Sequence, residues 1–211
     1  MLTKFINKIL ITAFVAAQIL SAQNVTLKEL KPALESWLEP IPEIDMPPQV
    51  QVYFNPRDDI ESEIIRLIEE AKIEILFSQL VVTSPRIANA ISNKFKTTQV
   101  MICGILESNP GVKGYNSPQF FSMNGIPVLL SNTDGFNNHK YLVIDKQIVA
   151  TGSYDWTRRA ATKNQENLIV IKDRGIASKY YNEWIEQSNK CVIPQEFLDK
   201  FKSKILQKRI R

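Results

Sequence analysis

One histidine, His139, is all that 211 residues contain. That scarcity excludes chemistry drawing two histidines from a single chain, and it leaves little for a metal centre built on imidazole. Cysteine is almost as scarce. Cys103 and Cys191 stand far apart, with neither a CxxC pair nor metal-ligand spacing, so no structural metal and no cofactor is expected. An even cysteine count in an exported chain permits one disulfide. The other reading is two buried or half-buried thiols, with Cys103 in the apolar strand Val100–Leu106. No internal repeat is visible. Nor does any apolar run match the ~20 residues of a membrane-spanning helix. The longest, Ile9 to Leu20, is interrupted by Thr12 and Gln18.

That short run reads as the core of a signal peptide over residues 1–22. Lys4 and Lys8 precede it, and Ser21-Ala22 offers small residues for cleavage. An uncleaved anchor is the alternative. Either way the folded part is expected outside the cytoplasm, in the periplasm or secreted. Apolar residues make up 44% of the chain, an ordinary globular share. A net charge of +4 is a mild basic bias, suited to a polyanion or a membrane surface. Much of the excess lies in Lys200, Lys202, Lys204, Lys208, Arg209 and Arg211. Residues 191–211 therefore read as a basic terminal helix, solvated or frayed.

Residues 23–48 form a proline-rich lead-in arm. Leu27, Leu30, Leu34 and Leu38 fall at helical spacing, and Pro40, Pro42, Pro47 and Pro48 then break regular structure. The domain proper is expected over 49–190. Strands are predicted at 50–54, 72–79, 99–106, 126–130, 139–145, 147–151 and 167–172. Helices are predicted from Asp58 or Asp59 to about Ala71, from Thr83-Ser84-Pro85 to about Phe95, at 118–123 and at 177–187. Proline is tolerated in the first turn of a helix. Residues 154–163 read as a polar turn. Alternating strands and helices predict an α/β sandwich with a mixed central sheet flanked by helices. A loop at 107–116 carries Lys113, Tyr115 and Asn116, which read as solvated or as phosphate or base contacts.

The most informative stretch is Asn138-His139-Lys140 followed by Asp145, then Gly152-Ser153-Tyr154-Asp155 and Glu166. It resembles the phospholipase D superfamily signature: His-x-Lys, four residues, Asp, six residues, Gly-Ser-x-Asn, and a later Glu. Lys140, Asp145, Gly152, Ser153 and Glu166 fall on their expected places. The resemblance spans roughly 49–187 and is closest to small bacterial exported endonucleases and mitochondrial cardiolipin hydrolases. It implies a phospholipase D-like fold and metal-independent phosphodiester hydrolysis. In that chemistry a histidine attacks phosphorus, and a second, from the other motif copy, protonates the leaving oxygen. With one copy present, the resemblance implies a homodimer whose two site strands face each other across a two-fold axis.

Carried over, the resemblance makes Lys140 the phosphate-binding cation, Ser153 a hydroxyl donor, Glu166 the orienting acid and Asp145 a structural carboxylate. Two positions depart from it. Asn138 holds the nucleophile's place, and an amide nitrogen neither attacks phosphorus nor relays a proton. Asp155 replaces an amide donor with a group that only accepts when ionised. His139 reaches the site only if a bulge re-aims it, because strand neighbours point to opposite faces. Otherwise it packs on the far side. Arg158 and Arg159 are candidate phosphate contacts or solvated cations. Trp156 is expected in the core rather than as a base-stacking platform.

Three functions stay open: an exported phosphodiesterase acting on nucleic acid or on phospholipid; a pseudoenzyme that binds nucleic acid or anionic phospholipid headgroups; and a structural domain with a vestigial groove.

Overall fold

The computed structural model describes residues 49–109, 111 and 117–194. The expected signal peptide and lead-in arm lie outside the described residues, as do residues 195–211 of the expected terminal helix and Lys113, Tyr115 and Asn116.

Eight strands form one mixed sheet: β1 (Gln49–Phe54), β2 (Glu74–Gln79), β3 (Met101–Glu107), β4 (Val128–Ser131), β5 (Lys140–Ile144), β6 (Ile148–Gly152), β7 (Asn167–Lys172) and β8 (Cys191–Val192). Their order across the sheet is β1-β7-β6-β5-β2-β3-β4-β8. The neighbours β2, β3 and β4 run parallel, while β5, β6, β7 and β1 are antiparallel neighbours. Antiparallel pairing of β5 with β2 joins the two halves. Strands β2 and β3 are buried along their whole length. Burial on both faces is what near-continuous apolar runs such as Ile75-Leu76-Phe77 require.

The helices sit where capping and periodicity place them. In α1 (Ile60–Glu70), the Asp59 carboxylate accepts from the Ser62 N–H. Helix α2 (Pro85–Thr97) opens on Ser84, whose hydroxyl accepts from the Ile87 N–H, with Pro85 in its first turn. Both Asp and Ser are favoured caps because their short side chains reach the unpaired N–H groups of the first turn. Ile60, Ile64, Leu67 and Ile68 of α1 and Ile87 and Ile91 of α2 join Ile75, Phe77, Ile102, Leu142 and Ile144 of the sheet in the main core. Phe121 of α3 (Ser117–Met123) completes it.

The opposite face is covered by α5 (Arg174–Ser188), capped by Asp173. Its Trp184 is fully buried and donates from Nε1 to the Phe77 carbonyl at 2.9 Å. Tyr180 packs edge-on against Tyr141, with ring centroids 5.1 Å apart.

Two elements differ from the sequence reading. Residues 154–163 are more than a polar turn. Thr157 caps a short helix, α4 (Arg158–Thr162), and both Tyr154 and Trp156 are buried in the main core. Residues 191–192, expected to begin the basic terminal helix, instead form β8 and pair with β4, with Cys191 opposite Ser131. Both thiols are free. Burial pushes Cys103 up to about 12 and Cys191 up to about 11, so both are protonated at neutral pH.

Candidate functional site

The site is made by the β5–β6 hairpin. Asp145 and Lys146 form its two-residue connection, each with φ of 53°, the left-handed pair that a tight hairpin turn demands. Register then pairs Tyr141 with Thr151 and Gly152 with Leu168. The start of β5, the end of β6 and the start of β7 therefore meet at one sheet end. That end brings Asn138, Lys140, Ser153, Asp155 and Glu166 together. The Thr151 hydroxyl, bonded to the Lys140 carbonyl at 3.1 Å, ties two of these strands at the site.

Gly152 is needed for this closeness. A Cβ there would stand 2.2 Å from the Asn167 carbonyl oxygen. Gly152→Ala must push β6 and β7 apart and is expected to cost about 1–3 kcal/mol, as other overpacked sites do. Urea unfolding of the variant would measure it, and an unchanged midpoint would refute the close-approach argument.

Lys140 is the centre of the site. Its ammonium donates to Asn138 Oδ1 at 2.6 Å and approaches the Asn138 carbonyl at 3.3 Å. It also stands 3.5 Å from Asp155 Oδ1, with the two side chains only 14% and 27% exposed. That ion pair is longer than a charge-assisted hydrogen bond, and Asp155 Oδ1 is buried with no hydrogen-bond donor. Burial pushes the Asp155 carboxyl above the ordinary carboxylate range. Lys140 opposes the shift, and the Glu166 charge adds to it.

Glu166 is fully engaged. The Ser153 hydroxyl donates to its Oε2, and Asn164 Nδ2 donates to Oε1 at 2.8 Å. Ser153 in turn accepts from the Asn167 N–H at 3.1 Å. Asn55, in the turn just after β1, anchors this corner. Its N–H donates to the Glu166 carbonyl at 2.9 Å, and its Nδ2 to the Ala160 carbonyl at 2.9 Å.

Asp145 lies apart, at the far end of β5. Its carboxylate accepts from three successive backbone N–H groups, those of Lys72, Ile73 and Glu74, at 2.9, 2.7 and 2.8 Å. It fastens the hairpin turn to the entry of β2. His139 turns away from the site. Its ring packs against Tyr141, with centroids 5.5 Å apart. It lines a cavity of about 210 Å³ on the α5 face, with Glu183, Gln187 and Cys191. No bulge re-aims it. Arg158 is exposed at the first position of α4, and Trp156 is buried. Among the described residues, no three His, Cys, Asp or Glu side chains gather as a metal-ion site.

The sequence reading missed several supports. Glu107 is buried, and its Oε2 accepts the Asn137 N–H at 2.7 Å. It thereby pins the loop that delivers Asn138. A carboxylate ending an otherwise apolar strand was the available signal. Gln79 is buried with Oε1 unpaired, and it sits opposite Lys140 in the β2–β5 register. Asn55 carried no sequence signal, since its partners Ala160 and Glu166 lie more than a hundred positions away.

Comparison with known proteins identifies the family and the fold. The family described as cardiolipin synthase, PLD-like domain, matches residues 64–188. That is more than half of the chain, and the protein belongs to this family of phospholipase D-like phosphodiesterases. Among curated relatives, a phospholipase D of Rickettsia prowazekii is 27% identical over 139 residues, 65% of this chain and 67% of that protein. A mitochondrial cardiolipin hydrolase of Xenopus tropicalis is 37% identical over 60 residues, which are 28% of this chain and only 29% of that protein. The fold matches Nuc, a phospholipase D family member from Salmonella typhimurium. There the TM-score is 0.66 and the identity 24%, covering 70% of this chain and 99% of that one. NucT from Helicobacter pylori follows with a TM-score of 0.61 and 21% identity, covering 70% of this chain and all of that one.

Proposed function

We propose that this protein is an exported member of the family that binds phosphodiesters, with nucleic acid as the favoured ligand, and that Asn138 silences its hydrolytic site. The observation that carries the reading is the pairing of a retained Lys140–Ser153–Glu166 cluster with an amide at the attacking position. The ammonium and hydroxyl suit the non-bridging oxygens of a diester. An amide has no basic lone pair with which to displace an alkoxide, and the sole histidine faces α5. In an active relative of this design, covalent attack would split one hard displacement into two easier steps, with donors aimed at the developing charge. Here the donors remain without the nucleophile.

Export rests on the basic and apolar N-terminal sequence. A homodimer is supported by the single motif copy, since the family chemistry uses two. A groove closed by two copies would track a polymer backbone. A phospholipid headgroup is the second reading, favoured by the 37% identity to a cardiolipin hydrolase.

Fluorescence anisotropy with labelled single-stranded DNA tests the proposal. Affinity should fall as salt rises, with a log–log slope of about −2 for a few neutralised phosphates. Lys140→Ala should weaken binding about tenfold and flatten that slope by ~0.7. Salt-independent or absent binding would remove nucleic acid as the ligand. Tighter capture by anionic phosphatidylglycerol vesicles than by DNA would favour the headgroup instead.

A further inference from the structure

We propose that Asp155 couples anion binding at this site to protonation: its carboxyl takes up one proton from solvent when a phosphodiester settles beside Lys140. The inference rests on the phosphodiester-site reading above and adds a property that the reading alone does not require.

The argument begins with charge. In the cluster, the Lys140 ammonium pairs with Asp155 at 3.5 Å, and the Glu166 charge also acts on Asp155. A diester oxygen within reach of that ammonium adds a third negative charge against one cation. Lys140 can then no longer serve Asp155 alone. One proton removes the repulsion most directly, and geometry selects its place. Both Glu166 oxygens already accept hydrogen bonds, from Ser153 and Asn164, and these favour its charged form. Asp155 Oδ1 is buried and accepts none. A proton there gives up only the long Lys140 ion pair, which the diester already weakens, and turns an acceptor-only group into a donor. That donor restores the function of the amide that the family signature carries at this place. The carboxyl is already biased toward its neutral form by burial. His139 takes no part, because it lies across β5 and faces α5.

The direction of the pH effect follows from linkage. Diester binding raises the Asp155 pKa, so the bound form holds the proton over a pH window in which the free form has lost it. Within that window, affinity rises as pH falls, by up to about tenfold per pH unit. Above the bound-state pKa the binding is weak and flat with pH. Below the free-state pKa it is tight and flat.

Isothermal titration calorimetry of the full chain with a short oligothymidylate lacking terminal phosphates is the test. Its diesters keep their charge across the range, so proton exchange reports on the protein. Titrations at matched pH in two buffers of different ionisation heat count protons, from about pH 4.5 to pH 8. The expected result is net uptake approaching one proton per site in mid-range, vanishing at the alkaline end. The near-isosteric Asp155→Asn variant should show no uptake and a flat pH profile. It should also bind about tenfold or more tightly at the alkaline end, where the native site repels the ligand. Native binding without proton uptake overturns the proposal while leaving the diester site standing. So does undiminished uptake in Asp155→Asn, which would move the proton elsewhere. Absence of any binding overturns the diester-site reading and this inference with it.

Discussion

If Asn138 silences the site as proposed, Asn138→His is expected to yield a metal-independent phosphodiesterase. The side chain at 138 already lies against Lys140, with Asn138 Oδ1 2.6 Å from the ammonium. An imidazole there would meet a diester bound beside Lys140. The chemistry then balances in two steps. A ring nitrogen bonds to phosphorus while the alkoxide leaves with a proton, and water next hydrolyses the phosphohistidine. In a two-fold assembly the same substitution supplies both the attacking and the proton-donating histidine. General acid–base catalysis alone contributes about 10²–10⁴-fold. A gain of that order over the unaltered chain is expected with EDTA present, on a fluorogenic phosphodiester and on single-stranded DNA. Asp155 limits the gain, because the restored site still lacks the amide donor of the family signature. Equal cleavage by both proteins would sink the reading of Asn138 and direct attention to His139, despite its place on the α5 face. If neither cleaves, the silencing extends beyond position 138.

Much of this arrangement was legible because it is periodic or local. Continuous apolar runs announced the doubly covered strands β2 and β3. Asp59 and Ser84-Pro85 announced two helix starts, and the spacing from Lys140 to Asp145 to Gly152 announced the hairpin. The orientation of His139 followed from strand alternation alone. What escaped was long-range or short. β8 has two residues, too few for any period. The α4 segment is dominated by polar residues, while its core contribution comes from Tyr154, Trp156 and Ala160 at no single spacing. Glu107, Asn55 and Gln79 act through partners 30 or more positions away or across the sheet, and no local pattern names such a partner. The tension between Asp155 and Glu166 also needed coordinates. The sequence placed an acceptor where a donor belongs, and only the fold left its Oδ1 buried beside Lys140 without a donor.

Asp145→Ala is expected to damage stability and leave ligand affinity intact, which separates the structural carboxylate of the signature from the residues around Lys140. Its carboxylate holds three consecutive backbone N–H groups at 2.7–2.9 Å, and the residue sits at φ 53°. Hydrogen bonds to a charged group contribute about 1.5–3 kcal/mol each when intact. Lys72 and Ile73 are exposed, however, so water recovers much of that loss. The left-handed backbone adds roughly 1 kcal/mol against alanine. A net loss of about 2–4 kcal/mol is expected, lowering Tm by roughly 5–15 °C in a domain of this size. Asp145→Asn keeps the shape and tolerates the left-handed conformation, so it should lose about half as much. Anisotropy below the melting range should give native DNA affinity for both variants, because four strand residues separate Asp145 from Lys140, a span of about 16 Å. Weakened DNA binding with an unchanged Tm would place Asp145 at the ligand and overturn its assignment. A lowered Tm with unchanged affinity would confine the ligand to the Lys140 end of the sheet.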